Sequence, residues 1–326
     1  MEKMKTRKVI LDVDTGSDDA IAIMCAIKAE SIQLEAICTV WGNLTVDKTT
    51  LNTLGLCEAM GVEIPVYAGC NRPMVKDRSK YRDLEDSYEP LIIDGKELKS
   101  HYDRLEGIPE PSRKEEDRHA VRFYYDYLIE ATEPVTIIAT GPLTNLGFLF
   151  RLAPQLAEKV EQLIIMGGGV HITNCSPAGE ANIWHDPEAL QIILDTGIHP
   201  LLVPLDATHA AALNLDDCAR LESLDTFAAR FTAKLARQRI EYESARFGEY
   251  HSFSAIHDAL AVCASIDESV LEDVQELACR VGLSGSADGD ILIDRREVPE
   301  EEVNVSIALS ANKEKFVAML CELFAN

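Results

Sequence analysis

No stretch of this 326-residue chain approaches the roughly 20 consecutive apolar residues that a membrane-spanning helix needs. The opening "MEKMKTRKVILDV" puts only a short apolar run after its basic residues, too short for the core of a secretory signal. A cytoplasmic location is therefore expected. Nine cysteines occur without one Cys-x-x-Cys pair. Such an odd, scattered set among apolar neighbours reads as small core residues in a reducing compartment. Positive charge is scarce: 31 Lys and Arg stand against 55 Asp and Glu, a net charge of -24. That balance repels nucleic acid and anionic membrane, and favours cations or neutral small molecules as partners. What the chain does have is 47% hydrophobic residues, enough for a large core.

The apolar residues follow an alternating plan. Short β-rich runs at 9–13, 34–40, 64–69, 135–140, 160–169 and 200–208 predict strands. Helical patterns over 18–29, 50–61, 117–131, the stretch "PLTNLGFLFRLAP" and 186–197 separate them. Asp186 and Pro187 read as the N-cap and first residue of the last of these. Two longer helices are expected at 224–247 and 252–266, short strands over about 276–309, and a closing helix at 311–325. Continuous apolar strands alternating with helices predict an α/β fold, an open, mostly parallel Rossmann-like sheet flanked by helices, with a small β-rich C-terminal part. One domain over 1–326 is expected, with an irregular insert at about 70–118.

In such a sheet, ligands bind beyond the carboxyl ends of the strands. The first strand delivers Asp12, Asp14, Asp18 and Asp19 there, in "DVDTGSDD". The next gives Trp41, Gly42 and Asn43. Later strands give Thr140, then Met166 with three glycines, Asn174, Glu180 and Asn182, then Asp206, Thr208 and His209. His257 and Asp258 open an apolar helical run. These stretches contain no Lys or Arg. Carboxylates so crowded must repel, take up protons or hold a metal, and an oxygen-only set suits calcium or magnesium. Asp18 and Asp19 as plain helix caps would leave Asp12 and Asp14 unexplained. An EF-hand is excluded, because the twelfth position from Asp12 is Ile23 rather than Glu.

Together these residues resemble the inosine-uridine-preferring nucleoside hydrolase family. "DVDTGSDD" (12–19), "VWGN" (40–43), "TGPLTNL" (140–146), "IMGGG" (165–169), "EANIWHDPEA" (180–189) and "HDA" (257–259) match its blocks in order. The resemblance implies hydrolysis of the N-glycosidic bond of ribonucleosides. It implies one Ca²⁺ held by Asp14, Asp19, Asp258 and the carbonyl of Thr140, with Asp12 bracing from behind. Asp14 would be the general base for a calcium-bound water. Asp18, Asn43, Met166, Asn174, Glu180, Asn182 and Asp258 would contact the substrate, and His257 would sit by the leaving base. A homodimer or homotetramer is implied as well.

The chain departs from the family pattern at several points. Thr15 replaces a usual Pro, Val13 a usual Thr and Ala181 a frequent Phe, and 74–118 lacks the usual His-Gly-x-x-Gly flap. Base preference therefore does not transfer. The basic residues Arg72, Lys76, Arg78, Lys80 and Arg82 read as a solvated face. Two alternatives stand beside this reading. One is a calcium-dependent nucleoside- or sugar-binding protein without activity, which would have no need of Asp14. The other is a haloacid-dehalogenase-like Mg-dependent phosphatase, which needs a downstream Lys that the strand-end loops lack.

Overall fold

The computed structural model describes residues 6–75, 90–93, 95–248, 252–298, 300 and 302–325. Lys76, Arg78, Lys80 and Arg82 lie outside these residues, while Arg72 is exposed. The strands are β1 (Arg7–Val13), β2 (Ile32–Thr39), β3 (Val66–Ala68), β4 (Leu91–Ile93), β5 (Lys96–Leu98), β6 (Val135–Ala139), β7 (Val160–Met166), β8 (Leu201–Val203), β9 (Leu213–Asn214), β10 (Phe253–Ser254), β11 (Leu271–Leu277), β12 (Cys279–Val281), β13 (Ile291–Ile293) and β14 (Val305–Ala311). The α-helices are α1 (Ser17–Lys28), α2 (Val46–Ala59), α3 (Ala120–Glu130), α4 (Thr144–Leu152), α5 (Ala181–His185), α6 (Pro187–Leu194), α7 (Leu205–Ala210), α8 (Leu215–Glu222), α9 (Phe227–Phe247), α10 (His257–Ile266) and α11 (Lys313–Phe324).

Eight strands form one sheet in the order β11-β14-β8-β7-β6-β1-β2-β3. All neighbours run parallel except β11, which lies antiparallel on β14 at the edge. Alternate residues of β1 point to opposite faces, and both faces are covered. Val9, Leu11 and Val13 pack with α1, α9, α10 and α11, while Ile10 packs with α3, α4 and α6. From β1 the chain runs outward through β2 to β3, then returns to β6 on the other side. That reversal opens a crevice at the carboxyl ends of β1 and β6, where open α/β sheets bind ligands.

The expected elements hold with shifted limits, each for a local reason. The strand expected over 200–208 stops at Val203, because Pro204 has no N–H for the ladder and instead precedes α7. The helix expected from 252 begins at His257, since Phe253 and Ser254 pair with β9. Helix α2 begins at Val46 and ends before Gly61, whose φ of 68° is a glycine conformation. Of the expected C-terminal strands, β11 and β14 extend the main sheet, and β12 and β13 form a small hairpin of their own. Among the described residues no helix is long and apolar enough to cross a membrane. All nine cysteines are free, and only Cys70 and Cys175 are not fully buried.

Candidate active site

Strand β1 ends in the crevice and hands its last polar groups to two sides. The Asp12 backbone carbonyl accepts from Thr140 N at 2.8 Å, tying β1 to the end of β6. The Asp12 carboxylate is buried. It accepts from the Tyr124 hydroxyl at 3.0 Å and from Asn145 Nδ2 at 3.1 Å. Burial pushes its pKa up to about 7 against the pull of those two hydrogen bonds. Asp12 is thus a brace that couples α3 and α4 to β1.

The turn after β1 folds back on itself through Asp19, at the third position of α1. One Asp19 oxygen accepts from Asp14 N at 3.3 Å and Thr140 Oγ1 at 2.9 Å. The other accepts from Gly16 N at 3.0 Å and Asn43 Nδ2 at 3.3 Å. These donors close the loop and aim carboxylates inward despite their like charge. Asn43 also takes Asp14, with its backbone N–H 2.6 Å from Oδ2 and its Nδ2 3.2 Å from Oδ1. A Cβ on Gly42 would lie 2.0 Å from Asp14 Oδ2, so only glycine fits beneath that carboxylate. Thr15, in place of the family's proline, shares a 2.7 Å hydroxyl hydrogen bond with Thr53.

Asp258 arrives from the first turn of α10. Asp18, Asp19 and Asp258 each present an oxygen, all within 4.8 Å of one another, and could hold a metal ion. The electrostatic consequence is large. Burial, then the charge of Asp19, raise Asp14 well above the usual carboxylate range. Burial and the neighbouring Asp18, Asp19 and Asp14 do the same to Asp258. Burial and Asp18 lift Asp19 to about 6. Such a group is satisfied by protons or by a cation.

Asp18 is the exception, and it corrects the expectation of a centre free of basic residues. Burial acts to raise its pKa, but facing positive charge, that of Arg239 foremost, holds it below the ordinary value. Arg239 comes from α9, with Nη1 3.1 Å from Asp18 Oδ1. His101 comes from the insert, with Nδ1 4.0 Å from the same oxygen. A Cβ on Gly16 would lie 2.1 Å from that ring, so the insert is packed directly onto the acidic turn. Neither residue was found by motif. The one available signal was an arginine on the otherwise apolar-facing side of a long helix.

The remaining expected residues gather on the β6–β7 side. Asn182 Nδ2 donates to the Thr140 carbonyl at 2.8 Å and to the Met166 carbonyl at 3.1 Å. Glu180 caps α5, accepting from Asn182 N at 3.0 Å and Ile183 N at 3.3 Å. It also holds the glycine run through Gly168 N at 2.8 Å. Burial raises Glu180 to about 7. Asn174 is exposed, and its Oδ1 accepts from Ala181 N at 3.0 Å. Asp206 clamps the loop between them by accepting from Val170 N and His171 N at 2.8 and 3.0 Å. His257 Nδ1 lies 2.7 Å from Thr208 Oγ1, and burial and Arg239 push its pKa down to about 3, leaving a neutral ring. Asp186 does not cap α6 with its side chain. It accepts from Met74 N and Thr144 Oγ1 instead.

Of the four expected metal ligands, Asp19 and Asp258 fall in the tight carboxylate triad. Asp14 borders it, within hydrogen-bond reach of Asp19, and the Thr140 carbonyl faces Asn182. Comparison with known proteins identifies the family. The profile of inosine-uridine preferring nucleoside hydrolases matches residues 9–318. The pyrimidine-specific ribonucleoside hydrolase RihA of Photobacterium profundum is 30% identical over 326 residues, spanning 98% of this chain and 99% of its own. A plant nucleoside hydrolase structure superposes with a TM-score of 0.85 at 28% identity, over 98% of this chain and 99% of that one. A purine-preferring ribonucleoside hydrolase from Gardnerella vaginalis gives 0.83 at 25%, over 98% of each. A parallel sheet with its acidic crevice at the β1–β6 reversal, matched in order by the family's blocks over nearly the whole length, makes this chain an enzyme of the inosine-uridine preferring nucleoside hydrolase family.

Proposed function

We propose that this enzyme hydrolyses the N-glycosidic bond of ribonucleosides to ribose and free base, with calcium at its acidic centre and Asp14 as general base. The observation that supports it most directly is the Asp14 carboxylate, oriented by Asn43 inside a buried group of like charges. The donor set is all oxygen, which suits a hard cation. Asp14, Asp19, Asp258 and the second lone pair of the Thr140 carbonyl would hold it. When bound, calcium would offset the carboxylates' repulsion and make a water easier to deprotonate near neutral pH.

Asp14 would accept the proton of the attacking water, a contribution of about 10²–10⁴-fold. Its raised proton affinity fits that task. Asp18, Asn43, Asn174, Glu180, Asn182 and Asp258, with Met166, would grip the sugar. As the bond breaks, positive charge develops on the ribose ring, and the surrounding carboxylates and carbonyls would stabilise it. His257, held by Thr208, would meet the leaving base as a neutral hydrogen-bonding ring.

The relatives' names span pyrimidine-specific and purine-preferring enzymes, so the base is chosen by experiment. The same resemblance supports a cytoplasmic homodimer or homotetramer built of single-domain chains. The test is a panel of ribo- and deoxyribonucleosides with each base, assayed with calcium and with excess chelator. Base release from ribonucleosides, stopped by the chelator, is expected. Calcium binding without cleavage anywhere in the panel would favour a binding protein. Phosphate release from phosphomonoesters would favour a phosphatase.

A further inference from the structure

A cation in the middle of an acidic metal-type centre needs a reason. Arg239 is 7% exposed and held from several directions. Its Nε donates to Ser254 Oγ at 3.3 Å, and its Nη2 lies 3.7 Å from Glu243 Oε1. Ser254 Oγ in turn donates to Glu243 at 3.0 Å. The guanidinium is thereby fixed from behind by β10 and by its own helix. Its Nη1 projects toward α1, 3.1 Å from Asp18 Oδ1 and 3.4 Å from Ser17 Oγ. A planar guanidinium so anchored cannot swing away as a lysine could.

Asp18 therefore stands between two claims. It is one of three carboxylates whose oxygens lie within 4.8 Å of one another, and it is also the ion-pair partner of Arg239. A hard divalent cation takes whatever carboxylate oxygens can reach it, and its affinity grows with their number and charge. A carboxylate drawn onto the cation keeps fewer lone pairs free for sugar hydroxyls. His101 Nδ1, at 4.0 Å, lies beyond hydrogen-bond distance of Asp18, whereas Arg239 is within it.

We infer that Arg239 is a positioning residue that withholds Asp18 from the metal and reserves it for the sugar. The inference rests on the calcium-dependent hydrolase reading above and adds a division of labour within it. Asp14, Asp19 and Asp258 serve the cation, Asp258 reaching the sugar as well, while the ion pair with Arg239 keeps Asp18 for the substrate alone. It carries a counter-intuitive consequence: the native enzyme binds calcium more weakly than its carboxylates allow, and binds nucleoside better in exchange.

The experiment measures calcium affinity by titration calorimetry, alongside KM and kcat, for the wild type, R239Q, D18N and the double variant. R239Q is expected to tighten calcium about tenfold or more, as the charge of the ligand set rises. It is also expected to raise KM far more than it lowers kcat, the signature of lost substrate binding. In the D18N background the R239Q change should no longer tighten calcium, because the carboxylate it would release is gone. D18N alone is conservative in shape and carries the test even if R239Q does not fold. It should keep calcium affinity within about tenfold, whereas loss of a direct ligand costs more than the roughly 10–100-fold of an outer-shell change. Equal tightening with and without Asp18 would mean that Arg239 acts only through its field, and overturns the inference. So does unchanged calcium affinity in R239Q, or collapse of calcium binding in D18N. A wild-type enzyme that binds no calcium overturns the metal reading and this inference with it; the other outcomes overturn this inference alone.

Discussion

Asn43 holds both oxygens of Asp14, one through its backbone N–H at 2.6 Å and the other through its side-chain amide at 3.2 Å. The backbone bond does not depend on the side chain, so the amide can be tested by itself. Asn43→Ala removes the bond to Asp14 Oδ1 and the one to Asp19 Oδ2. A hydrogen bond to a charged group is worth about 1.5–3 kcal/mol, so kcat/KM is expected to fall about 10–100-fold. Because Asn43 is only half-buried, the melting temperature should move little. Steady-state kinetics beside a thermal scan separate the two effects. A large loss of stability with intact kcat would show that Asn43 supports the loop rather than the base.

Asp14→Asn keeps the shape of the side chain and removes its ability to take a proton. The expected loss is about 10²–10⁴-fold in kcat, with the fold preserved. Measured rates within tenfold of wild type would move the general base to another carboxylate.

Chelation should destabilise the protein, because the calcium proposed for this site would bind the folded arrangement of carboxylates and not the unfolded chain. At a calcium concentration of 100 times Kd the gain is about 2.7 kcal/mol, which corresponds to a few degrees in melting temperature. A thermal scan in calcium and in excess chelator reads this directly. Coincident melting curves would remove the cation from the account of this site.

Asp12 gives a pH signature with a definite sign. Burial holds its pKa at about 7 in the folded protein, against about 4 in the unfolded chain. Between these values the folded state binds more protons, so Asp12 lowers stability as pH rises from about 4 to about 7, and the loss then levels off. Asp12→Asn keeps an acceptor for Asn145 and Tyr124 and cannot ionise. Its stability relative to wild type should therefore grow between pH 5 and pH 8, by on the order of 2–4 kcal/mol. Urea unfolding at the two pH values measures the difference. A gap that does not change with pH would count against a proton on Asp12.

The parts of this molecule that were legible in the sequence are those written locally. A three-residue apolar run, then Asp-x-Asp and Asp-Asp, specifies strand, turn and helix within one short stretch, and the structure has β1, the acidic turn and α1 there. The residues at the ends of β2, β6 and β7 could be placed because strand ends in a parallel sheet share one rim. Arg239 could not. It lies 221 residues from Asp18, on a helix whose pattern is otherwise that of packing against α1, and nothing local marks it as a partner. His101 was hidden similarly, inside an insert without period. The pairing of β14 with β8 was missed because strand partnership across a hundred residues leaves no periodic trace. Pro204, by contrast, was readable and was overlooked as the end of β8.

The reversal of strand order between β1 and β6 also has a kinetic meaning. The four carboxylates come from the turn after β1 and from the start of α10, more than two hundred residues later. The share of their repulsion that Asp258 adds is therefore absent until α10 has docked against the turn after β1, a contact of long sequence separation that is expected to form late. A cation that relieves it acts on the finished structure. Calcium should slow unfolding in stopped-flow measurements while leaving the folding rate nearly untouched, as expected for an interaction missing from the transition state. The acidic crevice is in this sense a clasp fastened last, and a metal held there would serve as much to keep the enzyme from opening as to equip it for chemistry.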